Sequence, residues 1–137
     1  MNTLVLCSDI TLGWCVPGRQ QNDYPLAILE RLRVSSAVVP AVWPHEVGDL
    51  LLEQEKSGRI KSADTLRFLE LLGKLPITVQ PDQPQRTLSE VLALARESGL
   101  SVTAAAYLDL AIRKGLPLAT QRQDLCHAAR ALGRSIA

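Results

Sequence analysis

No stretch of the chain restricts its fold more than Leu100 to Leu125, LSVTAAAYLDLAIRKGLPLATQRQDL. From Ala104 to Ile112 nearly every residue is small or apolar, and only Tyr107 and Asp109 interrupt the run. A helix apolar all round must be covered on every side by its neighbours. Arg113 and Lys114 fall in its last turn, at the negative end of the helix dipole, and Gly115 is a natural stop. Leu116 to Thr120 (LPLAT) then predicts a short strand, Gln121 to Asp124 a polar loop, and Leu125 to Leu132 a last helix. Helix, glycine, strand, polar loop and helix in that order describe an open α/β sheet, where ligands bind just beyond the carboxyl ends of the strands. The functional question therefore falls on Thr120 to Asp124 and on whatever faces them.

The rest of the chain extends the same pattern. Thr3 to Leu6 is apolar and rich in β-formers, as a central parallel strand covered on both faces must be. It runs into the small and polar Cys7, Ser8 and Asp9, and Val16 to Tyr24 carries the Pro, Gly and Asn of a loop. Pro25 to Arg33 predicts an amphipathic helix, Ala37 to Pro40 a strand, and Trp43 to Lys56 a helix with Pro44 in its first turn and Gly58 beyond its end. Ser62 can cap a helix over Ala63 to Lys74. Ile77 to Val79 predicts a third strand, Asp82 to Pro84 a turn, Gln85 to Glu97 a helix ending at Gly99, and Arg134 to Ile136 a short edge strand. Strands separated by helices imply parallel pairing through right-handed crossovers. The expectation is a single domain over residues 1–137, a three-layer α/β/α sandwich around a parallel sheet of four to five strands.

Composition excludes several functions. A formal charge of +1 gives no electrostatic case for nucleic acid. The three cysteines, Cys7, Cys15 and Cys126, form no CxxC, and neither His45 nor His127 has a partner at zinc-ligand spacing. Without a charged and apolar leader the chain reads as cytoplasmic, with reduced and buried thiols. Its apolar runs fall far short of the roughly 20 residues a membrane span needs.

Carboxylates at strand ends and helix starts are the candidates for chemistry. Asp9 follows the first strand, Glu46 opens its helix with Asp49 and Glu53 further along the same face, and Asp124 lies in the loop after LPLAT. Acids converging from such places would hold magnesium, which prefers oxygen ligands and can activate one of its waters. Each acid also has a purely structural reading. Glu46 opposes the helix dipole, Asp49 and Glu53 form a solvated face, and Asp124 caps the last helix. Cys7 as a nucleophile or redox thiol lacks a histidine to activate it, and no glycine-rich turn follows the first strand for a dinucleotide.

Taken in order, VLCSDITLGW, VVPAVWPHEV and VTAAAYLDLAIRKGLPLAT resemble the PIN-domain family, in particular toxins of the VapC type, from about Thr3 to Leu132. The resemblance implies a PIN-like fold, usually dimeric, with an acidic magnesium or manganese site that cuts RNA and a small antitoxin that blocks it. Of the family's four acidic positions only Glu46 keeps its acid. Cys7, Ala104 and Arg122 stand at the other three, while Thr120 matches a residue lining the pocket. Asp9, two residues beyond Cys7 in an extended strand, points to the same face. Arg122 is placed to pair bidentately with Glu46 or Asp9. Two functions follow as expectations. One is a toxin-like protein with a degenerate centre, weak or absent nuclease activity, a weak metal site at most at Glu46 and Asp9, and a retained role in binding RNA or an antitoxin. The other is an active magnesium-dependent endoribonuclease that uses Asp9, Glu46 and Asp124.

Overall fold

The computed structural model describes residues 3–16 and 23–137. Four short strands, β1 (Leu4–Leu6), β2 (Ala37–Val39), β3 (Ile77–Val79) and β4 (Leu118–Ala119), form one sheet in the order β3-β2-β1-β4. All the pairings are parallel, and Val5 of β1 lies between Val38 and Leu118. Leu4, Val5 and Leu6 expose no surface, which is why this strand carries none of the polar alternation of a half-solvated one. Beyond β4, Ile136 makes a single parallel bridge to Leu118 in place of an edge strand over Arg134 to Ile136.

The strands are joined by helices throughout. After β1 come α1 (Ser8–Gly13) and α2 (Tyr24–Arg31), and after β2 come α3 (Trp43–Lys56) and α4 (Ser62–Leu72). A longer connection leads from β3 to β4 through α5 (Pro84–Arg86), a π-helical turn (Thr87–Val91), α6 (Leu92–Ser98) and α7 (Val102–Lys114), and α8 (Gln123–Ala131) follows β4. The first two crossovers move towards the β3 edge and the third returns to the β4 edge. Right-handed connections therefore place α1 to α4 on one face and α5 to α8 on the other. The packing agrees: α1 rests on α2 and α3, whereas α7 rests on β1, β4, α6, the π turn and α8. The result is the three-layer α/β/α sandwich.

At the centre, α7 buries Ala104, Ala105, Leu108, Leu110 and Ala111 among the sheet, α6, the π turn and α8. Its alanines let the backbone lie close to β1, and each fully buried leucine contributes about 2 kcal/mol relative to exposure. Ser101 caps the helix by accepting from the Ala104 N–H at 3.1 Å, and Gly115 ends it at φ 64°, a left-handed conformation that favours glycine.

Several local expectations change. Cys7 to Asp9 is not the tail of a strand, because the chain enters α1 at Ser8. A six-residue helix is too short to show a helical period, and this one is held from outside, with Trp43 Nε1 donating to the buried Thr11 Oγ1 at 3.1 Å. Ser62 is the first residue of α4 rather than its cap; Lys61 takes that place and donates its N–H to Asp64 at 2.9 Å. The helix read over Gln85 to Glu97 is interrupted by the π turn. Most of the loop read over Val16 to Tyr24 lies outside the described residues, and Tyr24 already belongs to α2.

Candidate functional site

Above the carboxyl edge of the sheet the starts of α1 and α3 meet the middle of α7 and the segment after β4. Glu46, in the first turn of α3, is held from two sides through one oxygen. Its Oε1 accepts from the Ser8 hydroxyl at 3.2 Å and from the Tyr107 hydroxyl at 2.5 Å. Tyr107 is 1% exposed. Burial, reinforced by the Glu46 charge, pushes its phenol far above the usual value, so it stays a hydrogen-bond donor.

Asp9 is held as firmly. Its Oδ1 accepts from Thr120 Oγ1 at 2.9 Å and its Oδ2 from the Gln121 backbone N–H at 2.8 Å. Burial raises the Asp9 carboxyl above the ordinary range, against the pull of these donors and of the Arg122 charge. Thr120 is a relay, since its hydroxyl oxygen also accepts from the Arg122 N–H at 3.1 Å. Beneath lies Cys7, 1% exposed, whose thiol is pushed well up by burial and by the Asp9 charge. A thiol so placed is a poor nucleophile.

The four positions that the family resemblance marks are thus distributed as follows. Glu46 faces Ser8 and Tyr107. Cys7 and Ala104 are buried without a charge. Arg122 does not pair with Glu46 or Asp9. Its Nη2 and Nε reach Asp124 at 2.7 and 3.2 Å, because two residues at the entrance to α8 meet more readily than two across the edge. Its charge still acts on both Asp9 and Glu46. Asp124 is the second residue of α8 rather than its N-cap, which is Arg122, and the guanidinium holds its carboxyl below the usual range. Asp9 reaches the edge from the first turn of a helix, not as the next same-side residue of a strand. Asp49 and Glu53 are exposed. Among the described residues no three His, Cys, Asp or Glu side chains gather as a group that could hold a metal ion, and Asp9, Glu46 and Asp124 form no such group.

Sequence reasoning missed Ser8 and Tyr107. The signal for Tyr107 was present, since a tyrosine inside an otherwise apolar helix needs a partner for its hydroxyl. Asp109, the other polar interruption of α7, is 6% exposed and held by two arginines. Arg86 Nη2 and Nε donate to it at 2.7 and 3.2 Å, and Arg113 Nε donates at 2.9 Å. Burial would raise its carboxyl, but the two guanidiniums outweigh burial and hold it below the ordinary range. Of the thiols only Cys7 is buried; Cys15 and Cys126 are partly exposed, and all three are free. No helix among the described residues is long and apolar enough to cross a membrane.

Neither a family model nor a curated protein matches the chain by sequence. Solved structures are similar to it in shape. PAE2754 from Pyrobaculum aerophilum is similar with a TM-score of 0.68, over 93% of this chain and 86% of its own, at 23% identity. FitAcB from Neisseria gonorrhoeae is similar with a TM-score of 0.52, over 97% and 95% of the two chains, at 16% identity. Identities this low establish architecture. The chain has a PIN-like α/β/α fold.

Proposed function

We propose that this is a PIN-like protein of the VapC toxin kind whose nuclease centre has decayed, with weak or absent RNA cleavage and a retained role in binding an antitoxin-like protein. The observation that carries the reading is the donor set. Two carboxylates lie at the edge, each already accepting hydrogen bonds from protein donors, and the cation of Arg122 acts on both from the position where the family resemblance implies a further acid. Magnesium is bound through carboxylates and retained waters in near-octahedral order, and these residues do not fit it. Two unit charges ~4 Å apart interact by about 4 kcal/mol at an effective dielectric of 20. Exchanging a carboxylate for a guanidinium therefore works strongly against a dication, even after Asp124 neutralises part of the Arg122 charge.

A protein partner is favoured over RNA by the surface. Between α3 and α4 runs a cleft lined by Trp43, Val47, Leu51, Leu52, Leu69 and Leu72, of which Leu52 and Leu69 are 49% and 45% exposed. The net charge of +1 supplies no comparable field for phosphates.

Titrating magnesium or manganese while following thermal unfolding is expected to leave Tm unchanged. A ligand at a hundredfold excess over its Kd would add about 2.7 kcal/mol of stability. A clear rise in Tm that Glu46→Ala abolishes would sink the reading. The combined variant Cys7→Asp, Ala104→Asp and Arg122→Asp is expected to gain metal-dependent RNA cleavage. Equal cleavage by the unaltered chain would also refute decay.

A further inference from the structure

A second cavity, of about 340 Å³, opens beside α7 on a face that does not carry Tyr107. It lies beyond the carboxyl ends of β2 and β3, between the start of α3, residues 80–83, the π turn and the face of α7 that carries Val102, Ala106, Asp109 and Arg113. None of Asp9, Glu46 and Asp124 lines it. Its volume is at the lower end of the range for small-molecule sites, which are mostly apolar with a few placed polar groups. Pro40, Val42, Val91 and Val102 supply an apolar floor.

Three features suggest a site rather than a packing gap. Asp109 is buried and holds Arg86 and Arg113 side by side at the cavity wall. Arg113 spends only its Nε on Asp109. Its two terminal nitrogens have no protein partner among the described residues, so they present the fork that matches a carboxylate or phosphate. Arg86 leads directly into the π turn, in which Thr87 and Val91 both reach the cavity. Such turns cost stability relative to a regular helix and recur at functional sites. The exposed Asp82 at the rim disfavours a multiply charged ligand.

We infer that this cavity binds a small organic anion, with a compact apolar body on the floor of Val42, Val91 and Val102 and a single carboxylate or phosphate on the Arg113 fork. The site shares none of Asp9, Glu46 and Asp124, and its occupancy does not require nuclease chemistry or a metal.

The test uses the intact protein and amide chemical shifts, with benzoate, phenyl phosphate, inorganic phosphate and benzyl alcohol as probes. Saturable millimolar shifts at Val42, Thr87, Val91 and Val102 are expected for benzoate or phenyl phosphate, and the tighter of the two identifies the headgroup. Benzyl alcohol and inorganic phosphate should each bind at least about tenfold more weakly, the equivalent of losing one charge-assisted contact or the apolar body. Arg113→Gln should remove the preference for the anion while Arg86 continues to hold Asp109. Should that variant not fold, Ala106→Leu, which fills the cavity and keeps the fork, should abolish the shifts. The inference is overturned by no saturable binding, by equal binding of the neutral alcohol or of free phosphate, or by binding that Arg113→Gln or Ala106→Leu leaves intact.

Discussion

Replacing Asp109 with alanine tests the central electrostatic feature of the molecule. The carboxylate is 6% exposed and accepts three charge-assisted hydrogen bonds, two from Arg86 and one from Arg113. Removing one partner of a fully buried pair costs about 3–5 kcal/mol, largely through the charge left behind. Here the charges left behind belong to side chains that are 29% and 34% exposed and can turn towards water. Arg86 also keeps Glu90 at 3.5 Å. Surface screening lowers the expected loss to roughly 2–3 kcal/mol. At about 3 °C of Tm per kcal/mol for a domain of this size, the melting point should fall by roughly 6–9 °C. The pH dependence carries the same information. The Asp109 carboxyl lies below its ordinary value when folded, so its contribution is complete above about pH 4 and is lost as pH falls through the lowered folded value. Asp109→Asn should therefore flatten the acid limb of the stability profile. Urea melts of Asp109→Ala, Arg113→Gln and the double variant complete the assay. A loss below about 0.5 kcal/mol, or strict additivity of the two substitutions, would refute a coupled network.

Two more changes probe the candidate site. Tyr107→Phe removes the 2.5 Å donor to Glu46 while keeping the ring, and should cost about 1–2 kcal/mol in chemical denaturation; no loss would mean that the bond is not formed in solution. Asp9→Asn tests the opposite sign of linkage. Because burial raises the Asp9 carboxyl, the folded chain takes up a proton more readily than the unfolded one. Stability should rise as pH falls through the raised folded value towards the ordinary carboxylate range. In thermal melts across pH the variant should lose that slope, and an unchanged slope would show that Asp9 is not the group responsible.

Much of the architecture was legible because it rests on residues with few alternatives. Leu4 to Leu6 and Ala104 to Ala111 are apolar on all sides, which only full burial satisfies, and Gly99 and Gly115 end α6 and α7 in left-handed conformations. Helix α1 was not legible, because six residues offer less than two turns of pattern and its stability comes from Trp43, far along the chain. On α4 apolar residues recur at helical spacing, but only one of them is buried. Phe68 is 8% exposed, whereas Leu66 and Leu69 are 68% and 45% exposed. A hydrophobic period marks an apolar stripe but not which neighbour, if any, covers it.

By itself the sequence determined the alternation of strands with helices and the buried status of α7. Those are properties of residue type and local periodicity. Only the tertiary structure decided the partners. It joined Glu46 to Ser8 and Tyr107, Asp9 to Thr120 and Gln121, and Asp109 to Arg86, while giving Arg122 to Asp124 instead of to the edge. A polar group at the end of a strand must find a hydrogen bond, but distances of a few ångströms between residues far apart in sequence determine which one. Residue type made the edge polar; packing set what each of its charges meets.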